Sequence, residues 1–188
     1  MLVTAPKKGP ATYADIEALP EHVVGEILDG ELIVSPRPAS PHAIASTRLT
    51  VELGGPFDRG KGGPGGWVIL DEPELHFGPN VLVPDLAGWR RERMPRVPDV
   101  PFFELAPDWV CEVLSPSTAR IDRSRKMRHY ARAAVRHVWL VDPTATTLEI
   151  YRLDGEGWRL VDTCDGDAKV RPEPFDAIDL ELASLWTR

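Results

Sequence analysis

Cysteine and long apolar runs are scarce in this sequence, and their scarcity excludes several classes of protein. The 188 residues include two cysteines, Cys111 and Cys164, which lie far apart and lack Cys-x-x-Cys spacing. A disulfide framework or a zinc ribbon therefore has no support. No apolar run approaches the ~18 residues of a membrane span, and the amino-terminal residues lack the charged-then-apolar pattern of a signal peptide. We expect a cytoplasmic protein without membrane contact.

Basic residues are also in the minority, which argues against unspecific nucleic-acid binding over the whole surface. The chain has 22 lysines and arginines against 29 acids, a net charge of −7. Phosphate contacts need clustered basic residues, however, and the distribution is uneven. Between Arg120 and Arg136 a single acid, Asp122, accompanies a basic strip formed by Arg120, Arg123, Arg125, Lys126, Arg128, Arg132 and Arg136.

The remaining composition fits one globular domain over residues 1–188, with residues 1–11 as a loose tail. The chain is 43% hydrophobic and 27% charged, which is enough apolar surface for a core at this length. Asp29-Gly30 separates two apolar segments and predicts a β-hairpin, because both turn residues tolerate positive φ. Glu26 lies in its first strand. Residues 67–77 are interpreted as a single strand bent at a proline.

A helix followed by a glycine-rich segment is predicted next. Ser40-Pro41 is typical of a helix start, so His42 falls in the first turn, and Gly54-Gly55 are expected to end the helix. Residues 54–66 contain seven glycines and two prolines, which predicts a flexible surface loop. A G-x-x-x-x-G-K match inside the loop has Gly62 where a phosphate loop needs Ser or Thr. Its helix–loop context also argues against nucleotide binding.

Two carboxylates stand out in the middle of the chain. Asp85 follows a short apolar segment and Pro84, which is tolerated in a strand only near its end or edge. Residues 109–114 are almost wholly apolar, as in a central strand buried on both faces, and Glu112 is their one acid. A buried charge needs a partner or a metal. Two such acids at one sheet edge can share a Mg²⁺ ion, which prefers one or two carboxylates with water.

The segment after this strand predicts a helix that starts near Asp122. On a helical wheel with ~100° per residue, Lys126 lies about 40° from Tyr130, which is on the apolar face of this helix. Lys126 is thus at the border of the apolar face, and its side chain can point toward the sheet. The opposite, solvent-facing side carries Arg125, Arg128 and Arg132. Residues 137–141 form another apolar strand, so strand, helix and strand predict a parallel pair. Asp154-Gly155 predicts a carboxy-terminal hairpin.

The order of these motifs resembles the Uma family, a branch of the PD-(D/E)xK superfamily of restriction-endonuclease-like proteins. The resemblance runs from about residue 13 to residue 186. It rests on six motifs in order: Glu26-Ile-Leu-Asp-Gly-Glu-Leu-Ile-Val-Ser-Pro, His42, Val83-Pro-Asp85, Trp109-Val-Cys-Glu112-Val-Leu-Ser-Pro-Ser-Thr118, Lys126-x-x-x-Tyr130 and Trp139-Leu-Val-Asp-Pro143.

This resemblance implies an α/β fold with a mixed restriction-endonuclease-like β-sheet and flanking helices. It implies a metal-dependent endonuclease with Asp85 and Glu112 as ligands of Mg²⁺ or Mn²⁺, joined by the backbone carbonyl of Val113. The superfamily formula would put the lysine at position 114, which is leucine here, so Lys126 is the matching, migrated lysine. Glu26 is expected to complete the catalytic set.

His42 is a possible accessory residue of that site. The arginines at 125, 128 and 132 are expected to contact nucleic acid, with DNA as the expected substrate. The protein is expected to form a homodimer. Each feature also has a structural interpretation: Asp85 as a turn cap, Lys126 and the arginines as solvated helix residues, and His42 as a core histidine. Two other functions stay open, a noncatalytic dimeric binding or scaffold protein of the same fold and a metal-dependent hydrolase of small phosphoesters.

Overall fold

The computed structural model describes residues 9–36 and 39–186 and arranges them in two main sheets with short flanking helices. The strands, in chain order, are β1 (Val23–Leu28), β2 (Glu31–Pro36), β3 (Trp67–Asp71), β4 (Leu75–Phe77), β5 (Asn80–Leu82), β6 (Leu86–Arg90), β7 (Trp109–Val113), β8 (His137–Asp142), β9 (Thr147–Asp154), β10 (Gly157–Asp165), β11 (Lys169–Val170) and β12 (Leu180–Glu181). The helices are α1 (Tyr13–Glu17), α2 (Ser40–Leu53), α3 (Ala119–Ile121), α4 (Met127–Arg132) and α5 (Ala183–Trp186), and π-helical turns follow α2 at Gly54–Asp58 and α3 at Asp122–Lys126. None of these helices combines the length and apolar character needed to cross a membrane. Residues 1–8 of the predicted tail lie outside the described part of the chain.

The larger sheet has the order β10-β9-β8-β7-β6-β3 and contains the central strand that was predicted from its apolar run. All five residues of β7 are buried. β7 pairs with β8 in parallel, as predicted, and the helical segment between them makes the crossover. The other neighbouring strands of this sheet are antiparallel. Because side chains alternate along a strand, β7 contributes Trp109 to one hydrophobic core and Val110 to the other.

The smaller sheet has the order β2-β1-β5-β4 and begins with the predicted hairpin. Asp29 and Gly30 both have positive φ, 54° and 79°, as the tight turn requires. The chain leaves β5 of this sheet at Leu82 and enters β6 of the larger sheet at Leu86. Asp85 therefore lies at the junction between the two sheets.

The prediction of a single bent strand over residues 67–77 is wrong. β3 pairs with β6 in the larger sheet, whereas β4 pairs with β5 in the smaller one. The break falls at Glu72, which has a positive φ of 44°, and at the following Pro73. The Glu72 amide donates a hydrogen bond to the Asp85 carbonyl at 3.0 Å, so this amide keeps an acceptor where the strand ends.

The α-helix ends at Leu53 with Gly54 as its C-cap, as predicted, but the prediction of a loop over all of residues 54–66 is wrong. The chain continues through the π-helical turn Gly54–Asp58, where the Arg59 amide donates to the Gly54 carbonyl at 3.0 Å. The reason is Phe57, which is 2% exposed and packs with its ring centroid 4.7 Å from that of Phe175. Burying this ring outweighs the weak helix propensity of the glycines. Of the predicted loop, only residues 59–66 lack regular structure.

Candidate active site

Each oxygen of the Asp85 carboxylate has its own partner. Oδ2 accepts a hydrogen bond from the Val113 amide at 2.7 Å, and Oδ1 lies 3.1 Å from Nε2 of His42. Because Val113 ends β7, the first contact fixes Asp85 beside the end of the central strand. Burial lowers the pKa of His42, but the hydrogen bond and the charge of Asp85 raise it by more. His42 thus contacts a predicted metal ligand directly.

Glu112, the one acid within β7, is 2% exposed. Its Oε1 lies 2.9 Å from the Lys126 ammonium, and the Tyr130 hydroxyl donates a hydrogen bond to the same oxygen. These two donors supply the partner that a carboxylate in an apolar strand requires. Tyr130 is buried, as its apolar spacing predicted, and it also orients Glu112.

Lys126 lies deep between the two sheets, and its side chain is 4% exposed. Its Nζ is 2.9 Å from Oε1 of Glu26, equal to its distance from Glu112, and it donates a longer hydrogen bond of 3.4 Å to the Val83 carbonyl. Glu26 Oε1 also accepts the Val83 amide at 2.8 Å. The structure therefore brings together Glu26, Glu112 and Lys126, which come from β1, β7 and the π-helical turn.

Asp122 was not predicted as a site residue, although it belongs to the same buried group. It is 4% exposed, and Oδ1 lies 3.7 Å from Nζ of Lys126. Burial raises its pKa to about 6, in spite of the opposing charge of Lys126. The spacing of four residues before Lys126 could have revealed it, because residues four apart lie on the same helical face.

Negative charge is in excess around the lysine. Burial raises the pKa of Glu112 well above its ordinary value, although Lys126 lowers it, and Asp122 and Asp85 add to the rise. Burial also lowers the pKa of Lys126, but Glu112 and Glu26 outweigh that effect, so its pKa is raised. The lysine stays protonated, and one ammonium faces several carboxylates. The positive charge of a divalent cation would balance the negative charge of these carboxylates.

These side chains line a cavity of about 310 Å³ at the junction of the sheets. Its ionisable lining consists of Glu26, His42, Glu72, Asp85, Glu112, Asp122 and Lys126. Polar groups of the β7–α3 connection, Ser115, Ser117 and Thr118, complete one wall. The cavity has the volume of a small ligand site.

The residues present fit a Mg²⁺ or Mn²⁺ ion bound by two carboxylates. Within the described ranges no group of three or more His, Cys, Asp or Glu side chains has the geometry of a complete metal cage. Magnesium does not require one, because it is usually held by one or two carboxylates together with water and substrate oxygens. Asp85 and Glu112 both line the cavity, and Val113 lies at the same strand end.

The arginines predicted to contact nucleic acid have different environments. Arg125 was expected to face solvent, but it binds the β1–β2 hairpin: Nη1 lies 2.6 Å from Oε2 of Glu31, and Nη2 donates to the Leu28 carbonyl. The hairpin turn supplies these acceptors from a distant part of the sequence. Arg128 and Arg132 are exposed and make no ion pair with the described residues.

The chain is a mixed α/β protein with a six-stranded sheet, flanking helices and an acidic cavity beside the end of its central strand. The chain belongs to the Uma2 family, whose model, described as "Putative restriction endonuclease", matches residues 10–183. Among solved structures it is similar to a protein from Anabaena variabilis, described as "a putative nuclease belonging to DUF820". The two share 25% identity with a TM-score of 0.75, over 94% of this chain and 98% of the other. No curated protein matches the chain.

Proposed function

We propose that this protein is a metal-dependent endonuclease that hydrolyses phosphodiester bonds of nucleic acid, with DNA as the first substrate to test. Asp85 and Glu112 hold Mg²⁺ or Mn²⁺ at the end of β7, with the carbonyl of Val113 available beside them. Lys126 and Glu26 complete the catalytic set, and His42 supports Asp85. Family membership supports the nuclease class; the roles of individual residues are our proposal.

The protein's own groups position the reaction. A cation held by Asp85 and Glu112 would act as a Lewis acid, lowering the pKa of a water molecule and neutralising charge on the scissile phosphate. Asp85 is fixed for this task by the Val113 amide. Lys126, whose side chain is 4% exposed, supplies a fixed positive charge for the phosphate as negative charge develops. Glu26 and Glu112 hold the ammonium in place, and Tyr130 holds Glu112.

One observation carries the proposal: the Lys126 ammonium lies 2.9 Å from Glu112 in a cavity that Asp85 also lines. These three residues are separated by up to 41 positions, and no packing need explains a buried lysine among acids. Replacing such a group by apolar residues is often neutral or stabilising, so its presence calls for a functional reason.

Nicking of supercoiled plasmid tests the proposal. The parent protein is compared with and without Mg²⁺ or Mn²⁺, and Asp85→Asn is expected to lower the rate by ~10²- to 10³-fold. The amide oxygen can still accept the Val113 amide, so the fold is expected to persist. The control is Asp154→Asn, at an exposed acid that ends β9. Parent protein that nicks equally well in chelator would overturn the metal-dependent mechanism.

The other functions predict different results in this assay. A noncatalytic dimeric binding or scaffold module of the same fold, which the net charge of −7 favours, binds neither Mg²⁺ nor Mn²⁺ and leaves the plasmid uncut. A small-phosphoester hydrolase turns over a generic phosphodiester and ignores plasmid. The proposed homodimer would bring two centres to the two strands, and light scattering of the intact chain measures its mass.

A further inference from the structure

A second cavity, of about 340 Å³, lies on the other side of the helix that carries Lys126. We refer to it as the hairpin groove, because it is bounded by the segment Arg123–Ala131 and by the β9–β10 hairpin. Its apolar lining is Met127, Leu140, Tyr151 and Trp158, and its basic rim is Arg123 and Arg128. Nothing in the proposed mechanism uses these residues.

The two aromatic side chains of the hairpin groove are held in fixed orientations. The Trp158 indole donates from Nε1 to the Met127 carbonyl at 2.8 Å, which ties the hairpin to the helix. The Tyr151 hydroxyl donates to Glu149 at 2.6 Å, and Arg123 holds the same carboxylate through two contacts of 2.7 Å. Both rings are partly exposed. Aromatic surfaces that are already ordered lose little entropy when a flat ligand stacks on them.

Positive charge at the rim is available to a ligand. Arg123 is neutralised by Glu149, but Arg128 is exposed and forms no ion pair within the described part of the chain. Arg120 and Arg132, on the same helical segment, are likewise exposed and unpaired there. Glu156 lies on the hairpin side of the rim, so an anionic ligand group is favoured on the helix side, at Arg128.

The hairpin groove is one helix width from the acidic cavity. Asp122 and Lys126 line the acidic cavity, while their neighbours Arg123 and Met127 line the hairpin groove. An α-helix with side chains is about 10 Å across, so a nucleic-acid strand can reach both sides of it. Fixed aromatic rings beside an unpaired arginine form the combination that binds single-stranded nucleic acid: bases stack on the rings and the phosphate contacts the cation.

We propose that the hairpin groove binds an unpaired base of the substrate strand, stacked against Trp158 and Tyr151, with its adjoining phosphate at Arg128. This inference rests on the proposed nuclease function and specifies its substrate: a strand with a single-stranded or flipped-out base next to the cutting site. A paired base inside a duplex cannot enter, because stacking on the protein requires leaving the base stack.

Oligonucleotide binding measured without metal tests this inference independently of catalysis. The probes, used in chelator, are a fluorescent oligothymidine of twelve nucleotides and an abasic strand of equal length and charge. The parent chain is expected to bind the oligothymidine about 5- to 100-fold more tightly, because base–aromatic stacking contributes at that level. Trp158→Leu and Tyr151→Leu are both expected to bring the ratio toward one while abasic binding is retained. A misfolded variant would lose both affinities.

Arginine variants test the phosphate contact. Arg128→Ala is expected to weaken binding of both strands equally and to lower the slope of log affinity against log salt by about 1. Arg159→Ala is the matched control. Arg159 is exposed, adjacent to Trp158 in β10, and on the opposite face of the hairpin, where it pairs in register with Arg152. Its loss is expected to leave the affinities for both strands and the salt slope unchanged.

The possible outcomes are distinguishable. Equal affinity of the parent for both strands, or a ratio that persists in Trp158→Leu and Tyr151→Leu, overturns the inference. If the same parent protein still nicks plasmid, the proposed function stands without it. Failure to bind either strand and to nick plasmid overturns both. Thymidine monophosphate that binds as tightly as the oligothymidine would identify the hairpin groove as a free-nucleotide site and so overturn the strand assignment.

Discussion

The ammonium of Lys126 lies 2.9 Å from Oε1 of Glu112, and the two side chains are 4% and 3% exposed. A buried ion pair of this kind costs free energy through desolvation, and it is strongly destabilising to remove only one partner. The pair therefore makes the stability of the protein depend on its proposed catalytic residues. A solvated helix lysine could be replaced with little effect on stability, but the burial of Lys126 excludes that expectation.

Lys126→Met is expected to lower the free energy of unfolding by about 3 to 5 kcal/mol at pH 8, because Glu112 and Glu26 lose their common partner. In Lys126→Met/Glu112→Gln most of this loss should be recovered, since the remaining amide carries no charge. Urea unfolding at pH 8 measures both. Neither variant should nick DNA, so the double variant separates a missing catalytic charge from a missing fold. A single variant as stable as the parent would contradict this.

Asp122→Asn is expected to stabilise the metal-free protein at pH 8 and to have little effect near pH 4. The folded-state pKa of Asp122, about 6, lies above the ordinary 3.8, so the folded protein binds its proton more tightly than the unfolded chain does. The contribution of Asp122 to stability is therefore complete below about pH 4 and is lost as the pH rises through about 6. The gain at pH 8 is at most about 3 kcal/mol. Urea unfolding at pH 4 and pH 8 measures the change in the free energy of unfolding. An equal change at the two pH values would contradict the prediction.

Mn²⁺ is expected to raise the melting temperature of the parent protein and not that of Asp85→Asn. A ligand that binds only the folded state adds about 2.7 kcal/mol of stability at one hundred times its dissociation constant. Isothermal calorimetry of both proteins gives that constant independently. Asp154→Asn again serves as the control, and an equal shift in Asp85→Asn would assign the ion to another site.

Phe57→Ala is expected to lower the free energy of unfolding by about 3 to 5 kcal/mol, because the ring fills a core position against Phe175. Val51→Ala, on the preceding helix and 65% exposed, should change it by less than about 0.5 kcal/mol. Chemical denaturation of the two variants distinguishes a packed π-helical turn from a flexible loop. A small effect at Phe57 would restore the loop interpretation.

The strands and the carboxylates were accessible from sequence because local pattern determines them. The apolar run around Glu112 identified a central strand, and Asp29-Gly30 identified the hairpin turn. The position of Lys126 on the helix border indicated that it could face the sheet. These inferences need only the hydrophobic periodicity of each helix or strand and the turn preferences of adjacent residues.

The misses depend on contacts between distant segments. Alternation in residues 67–77 predicts strand, but it does not say that the two halves pair in different sheets. The glycines and prolines of residues 54–66 predict a loop, and only the burial of Phe57 against Phe175 accounts for the π-helical turn at its start. The environment of Arg125 is set by Glu31, which lies 94 residues away in sequence. Hydrophobic pattern carries no information about such partners.

The lysine contacts one acid from each main sheet: Glu26 belongs to β1 and Glu112 to β7. During synthesis on the ribosome, the acids at 26, 85 and 112 emerge before the cation that they surround. A growing chain shorter than 126 residues thus holds these carboxylates without the lysine that we propose for catalysis. The proposed site therefore assembles only after residue 126 has been made and both sheets have docked.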